Sequence, residues 1–364
     1  MHLKGALKIL GLRKQEPLLP RLLFMGADPG DTLRTLAAVH TPEEWPLRWC
    51  LLAQQYEERG QEALAHKHLV SAAETLRLVA IYYRVAEYMV TNHDERASIW
   101  RKLVHCYQRA GRLFTPPSQI LPVHSNGIQI PAWIRIPTSL QSVPCVITLG
   151  GVDGVKEEWY HVSQGYIERG WACVALDLPG QGELRRLHNH YWRPDPEDII
   201  SAAIDVLEMQ SSIDRQRIVI VGGSAGGYFA LRAAACDTRI SACALISAPI
   251  SLREVYCSAP PPIPQTIDYN LGSDGKMTSL RLLQSYTAEP LLPSVRCPVW
   301  LVYGGQDTTT APSHAKRIKQ GVSGTVEEVY FEDGDHICFN HLIEWQVQLH
   351  NWLEKHFNGK EERA

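Results

Sequence analysis

The chain has 364 residues, 45% of them hydrophobic and 21% charged, with a formal net charge of -3. That length implies one large domain with a smaller one appended or inserted. The near-neutral balance speaks against a nucleic-acid partner or an anionic membrane surface, and no run reaches the roughly 18 apolar residues of a membrane span. A soluble protein acting on a small molecule is the expectation.

The first residues, MHLKGALKILGLRK, are positively charged. They lack the uninterrupted core of about 7 to 15 apolar residues that marks a signal peptide, and read as a short surface helix of a cytoplasmic protein. Up to about residue 115 apolar residues recur at helical spacing: Trp49, Leu51, Leu52 and Tyr56, then Leu69, Ala72, Ala73 and Leu76, then Val79, Tyr82, Tyr83, Val85 and Tyr88, then Trp100, Leu103 and Tyr107. Segments ending in Arg59-Gly60 and Ala110-Gly111 faintly resemble tetratricopeptide helix pairs, but two units fall short of the array of about three that such a fold needs. Residues 1-115 therefore read as a helical cap domain. Tyr82, Tyr83, Tyr88 and Trp100 could wall a substrate there, although at this spacing such residues more often form core.

The second domain is assigned to residues 116-364. It opens with a hairpin, Leu121 to His124 and Ile128 to Ile136, around an Asn126-Gly127 turn that favours positive φ. Strands and helices then alternate. The expected strands are Cys145 to Leu149, Ala172 to Leu176, Arg217 to Val221, Cys243 to Ser247, Val299 to Tyr303 and Val326 to Phe331; helices follow from about Glu157, Pro196, Tyr228 and Ala311, and a last one runs to about His356. Short apolar runs alternating with helices predict an α/β fold, a mostly parallel central sheet covered by helices. Asp195 is placed as a cap and Pro196 at the first helical position. The rhythm breaks at about residues 250-293, an insertion expected near the strand ends, where such sheets bind ligands. Nine scattered cysteines without a C-x-x-C pair fit reduced thiols better than disulfides or zinc, so neither metal nor cofactor is expected.

Function concentrates in Gly222-Gly223-Ser224-Ala225-Gly226-Gly227, behind the apolar run Ile218 to Val221 and ahead of the helix former YFALRAAAC. G-x-S-x-G between a strand and a helix marks a nucleophile elbow: the glycines permit a tight reversal that exposes the serine oxygen. Serine needs a base, and the base needs an acid to fix its tautomer, in the chain order Ser, acid, His. Asp307 ends a buried strand in Tyr303-Gly304-Gly305-Gln306-Asp307. His336 follows the next strand in Asp333-Gly334-Asp335-His336. His341 competes but is expected inside the final helix, while Asp333 and Asp335 suit turns or caps. Gly150-Gly151-Val152 ends the first parallel strand, so the Val152 and Ala225 N–H groups are the candidate oxyanion donors and Gly151 gives the substrate room. Asp177 to Glu183 reads as shaping the upper edge of the sheet. The stretch Arg185 to Trp192, His190 included, could line a pocket or form a solvated loop.

Together GGSAGGYFALRAAAC, LGGVDGVKEEW, ALDLPGQGE, GGQD and GDH resemble the α/β-hydrolase superfamily. Within it they are similar to a branch with an N-terminal helical cap, which includes 2,6-dihydroxypseudooxynicotine hydrolases, fungal polyketide-shortening hydrolases and fermentation-respiration switch proteins. The resemblance implies Ser224 as nucleophile, His336 as base, Asp307 as orienting acid, and a homodimer. It also implies hydrolysis of a carbon–carbon bond beside a ketone in a hydrophobic 1,3-diketone or polyketide-like substrate. Glu254 is the carboxylate nearest to a glutamate that the nicotine-degrading relatives use, on a segment that does not match closely. The residues leave two other activities open: a carboxylesterase or thioesterase, or an acyltransferase or cyclase. A non-catalytic binding or regulatory protein on the same fold is the third reading.

Overall fold

The computed structural model describes residues 18-361, so the expected N-terminal surface helix lies outside the described residues. The chain divides into two compact units. One comprises the described residues up to Gln119 with Glu157–His161 and Arg186–Asn189; the other comprises Ile120–Lys156, Val162–Arg185 and the residues from His190 onward.

The first unit is helical: α1 (Leu18–Phe24), α2 (Pro29–Ala38), α3 (Glu44–Ala65), α4 (Leu69–Ala86) and α5 (His93–Leu113). Local chemistry sets two of the starts. Asp28 accepts the Asp31 N–H at 2.8 Å ahead of Pro29, and Asn92 accepts the Glu95 N–H at 2.9 Å with Asp94 and Glu95 in the first turn. Every residue from Val79 to Ala86 is buried, as for a helix enclosed on all sides. Its polar members close on one another. Arg84 bonds Glu87 and Glu158, both at 2.7 Å, and Arg186 lies 3.4 Å from Glu87. Glu158 and Arg186 thereby tie their short segments to this unit.

The second unit holds a sheet of eight strands among the described residues, in the order β1 (Gln119–Ile120), β4 (Ala132–Arg135), β6 (Ala172–Leu176), β5 (Val143–Leu149), β7 (Ile213–Gly223), β8 (Ile240–Ile246), β9 (Val299–Gly304) and β10 (Val326–Phe331). Apart from β4, which runs antiparallel to β6, the pairings from β6 to β10 are parallel. The hairpin is shorter than expected. Strands β2 (Val123–Ser125) and β3 (Ile128–Ile130) form it alone; Pro131, with no N–H to give a ladder, ends it and β4 turns into the main sheet. All seven residues of β5 and all five of β6 are buried, the continuous apolar pattern of strands covered on both faces.

The connections are α6 (Tyr160–Glu168, after a 3-10 turn at Lys156–Trp159), α7 (Gly182–Arg186), α8 (Glu197–Glu208) and α9 (Ala225–Cys236). Pro196 is the residue before α8 and makes no side-chain cap, one position later than the expected arrangement of Asp195 and Pro196. The insertion folds as α10 (Leu252–Ser258), α11 (Ile263–Leu271) and α12 (Lys276–Leu282), followed by 3-10 turns; α13 (Pro312–Gly321) and α14 (Leu342–Glu361) complete the unit. Asn270 of α11 donates to the Val152 carbonyl at 2.5 Å, which ties the insertion to the loop after β5.

Candidate active site

The chain leaves β5 to form β6 on one side and returns to place β7 on the other, so β5 sits at the reversal of strand order. Ligands of open α/β sheets bind beyond the carboxyl ends of the strands at such a point. The register brings two glycine loops together there, because Leu149 of β5 pairs with Gly222 of β7. Close approach explains the glycines. A Cβ on Gly222 would meet the Gly226 carbonyl oxygen at 2.2 Å, and one on Gly226 would meet the Leu149 oxygen at 2.2 Å.

Ser224, between β7 and α9, has φ 53° and ψ -125°, a conformation that costs of order 1–3 kcal/mol in a residue with a side chain. Its own N–H holds the turn by donating to Ile246 of β8 at 2.8 Å. The result is a hydroxyl standing off the sheet. Ser224 Oγ lies 3.0 Å from His336 Nε2, and His336 Nδ1 lies 2.9 and 3.0 Å from the two Asp307 oxygens. Asp307 Oδ1 also accepts the Thr309 and Thr310 N–H groups at 2.8 and 2.7 Å, which fixes the carboxylate against the end of β9. His336 thus turns Nδ1 to the carboxylate and Nε2 to the serine.

The His336 backbone is held by strain and a tether. Ile337 and Cys338 both take positive φ, 66° and 50°, and the Ile337 N–H donates to Ser247 Oγ at 3.0 Å. Sequence patterns gave no sign of Ser247; only the pairing of β8 beside β7 brings it under the histidine. His341 lies just before α14 rather than within it, 2.8 Å from Asp333 and stacked on Phe331. Its two carboxylate partners, Asp333 and Glu344, raise its pKa despite the opposing desolvation. Burial pushes the Asp335 carboxyl up as well.

Gly151 adjoins the serine: a Cβ there would lie 3.2 Å from Ser224 Cβ and 3.7 Å from Oγ. The Val152 N–H and the Ala225 N–H, first amide of α9, donate to no acceptor among the described residues. Other candidates have partners of their own. The Glu254 carboxylate on α10 is half-exposed and bound to Arg317 of α13 at 2.8 and 3.1 Å. Tyr83 is buried in the helical unit with its hydroxyl 3.5 Å from Glu57, and Tyr82 and Trp100 are core there too. His190 serves the chain path, its N–H donating to Leu184 and its carbonyl accepting from Gly180. Among the described residues no helix is long and apolar enough to cross a membrane, and no group of three or more His, Cys, Asp or Glu could hold a metal.

Sheet order, strand-turn-helix at Ser224 and the loops converging on it define an α/β-hydrolase. More closely, the chain belongs to the prolyl oligopeptidase family, peptidase family S9, whose sequence profile matches residues 159-360. It is a hydrolase. It is 28% identical to a 2,6-dihydropseudooxynicotine hydrolase of Paenarthrobacter nicotinovorans, over 92% of this chain and 90% of that protein. The crystal structure of the 2,6-dihydroxy-pseudo-oxynicotine hydrolase superposes with a TM-score of 0.85 over 92% of this chain and 95% of the other, at 28% identity. Hydrolase ORFZ of Pyricularia oryzae is 31% identical over 62% of this chain and 58% of its own length. Hydrolyase poxO of Penicillium oxalicum is 32% identical over 56% and 52%. The chain thus spans just over half the length of these fungal relatives.

Proposed function

We propose that this hydrolase uses Ser224 as nucleophile, His336 as base and Asp307 as orienting acid, and that it cleaves a carbon–carbon bond next to a ketone. The hydrogen-bonded chain from Ser224 Oγ through His336 to Asp307 carries the mechanism. Near full-length similarity to the 2,6-dihydropseudooxynicotine hydrolase supports the choice of bond.

His336 Nε2 takes the hydroxyl proton as Oγ attacks a carbonyl carbon, and the oxygen that gains charge is received by the Val152 and Ala225 N–H groups. Losing one such donor typically costs about 3 kcal/mol in the barrier. Collapse of the tetrahedral intermediate expels carbon, a poorer leaving group than an alkoxide, so the electron pair must pass into a second ketone as an enolate. His336, now protonated, returns its proton there as general acid. Water activated by the same histidine then releases the acyl group from Ser224. A 1,3-diketone meets both needs, a carbonyl to attack and a ketone to hold the electrons. The reading includes no cofactor, a hydrophobic small-molecule substrate admitted beside Gly151, a cytoplasmic location and a homodimer. The division into a helical cap, 1-115, and a hydrolase domain, 116-364, with an insertion at 250-293, belongs to the same proposal.

The purified protein should be offered aryl 1,3-diketones and p-nitrophenyl esters side by side. Appearance of one carboxylic acid and one ketone per diketone consumed is expected. Turnover of the esters alone would overturn carbon–carbon cleavage and leave a carboxylesterase.

A further inference from the structure

We propose that Gln181 is a positioning residue that aims the Val152 N–H at the oxyanion, an inference that rests on the serine mechanism above. Gln181 follows β6 and is 1% exposed. Its amide nitrogen donates to two successive carbonyls of the neighbouring loop, Gly150 at 2.8 Å and Gly151 at 2.7 Å, while its Oε1 accepts the Leu178 N–H at 3.1 Å. Both donors and the acceptor of the side chain are engaged, so it has one orientation.

The Gly151 carbonyl and the Val152 N–H belong to one trans peptide plane and point in opposite directions. Fixing the carbonyl on Gln181 therefore aims the N–H away from Gln181. Asn270 holds the next carbonyl, that of Val152, at 2.5 Å, so the planes on either side of Val152 are both set. The need for such a clamp comes from Gly151. Its lack of a side chain makes room beside Ser224, but glycine is the residue least able to resist a peptide flip. The Gly154 N–H reaches the same Gly151 carbonyl at 3.2 Å within the turn, and the shorter bond from the buried Gln181 amide adds the rigidity that the glycine gives up.

The probe is an alkyl fluorophosphonate, whose phosphoryl oxygen occupies the oxyanion position, with the inactivation rate kinact and the affinity KI measured separately. Gln181→Glu keeps the size but loses both donors when ionised; Gln181→Met removes all polarity. For both, kinact is expected to fall about 100-fold, the scale of a lost oxyanion donor, with KI little changed. Thr148→Val controls for stability alone, since it deletes a buried bond to the Val174 carbonyl within the sheet; it should lower Tm and leave kinact intact. If kinact in the Gln181 variants falls no further than in Thr148→Val, or if neither Gln181 variant folds, the positioning role is overturned. Labelling that persists in Ser224→Ala would instead overturn the serine mechanism, so the two failures are distinguishable.

Discussion

Two buried polar regions of this molecule contrast in how their hydrogen-bonding capacity is used. In the helical unit, Arg84 lies between Glu87 and Glu158, with Arg186 and Arg96 also on Glu87. Each of these charges meets an opposite one within the same unit. At the ends of β5 and β7 the supports are equally well bonded, with Asp307 on two amides and a histidine and Gln181 on two carbonyls. What they support is left open: the Ser224 hydroxyl bonded only from the His336 side, and two N–H groups, of Val152 and Ala225, that meet no acceptor among the described residues. Buried polarity that closes on itself holds a fold, whereas polarity fixed from behind and open in front is arranged for a ligand.

Breaking the ion-pair cluster is expected to have the larger effect on stability. Arg84→Met removes the cation between two buried carboxylates and should cost about 3–5 kcal/mol, the usual result of stranding a buried charge, read as a fall in the denaturant midpoint. A loss below about 1 kcal/mol, as for a surface pair, would erase the contrast. A smaller effect comes from His350 in the sheet unit, which is buried against Tyr166 with no partner on Nε2 among the described residues. Burial, aided by Arg169, lowers its pKa from 6.5 to about 4. The unfolded chain therefore binds this proton more readily, and stability should fall as pH drops from 6.5 towards 4, by at most about 3 kcal/mol. Urea titrations at neutral and acid pH should show a shallower decline for His350→Gln; an unchanged slope would mean that the ring is satisfied.

Much of the fold was legible because parallel strands announce themselves. The strand at Val326 to Phe331 falls where the apolar pattern put it, and β5 and β6 read as apolar runs because both their faces are covered. Ser224, Asp307 and His336 stood out through their positions after strands, and the structure brings those three side chains within hydrogen-bonding distance. Other features depend on distant partners. Glu158 and Arg186 join the helical unit through Arg84 and Glu87, which no local pattern encodes. Gln181 lay inside a segment read only as shaping the sheet edge; its bonds to Gly150 and Gly151 follow from β6 lying beside β5. Pro131 is the exception, a local signal in plain view that divides the expected hairpin strand in two.

The open site stands or falls with the nucleophile proposed for it. Wild-type protein and Ser224→Ala should be incubated with a fluorophosphonate and examined by intact mass and peptide mapping. A single adduct on the Ser224 peptide of the wild type, absent from a folded Ser224→Ala, is the expected result. An adduct on another residue, or equal labelling of both proteins, would contradict a serine nucleophile at the end of β7.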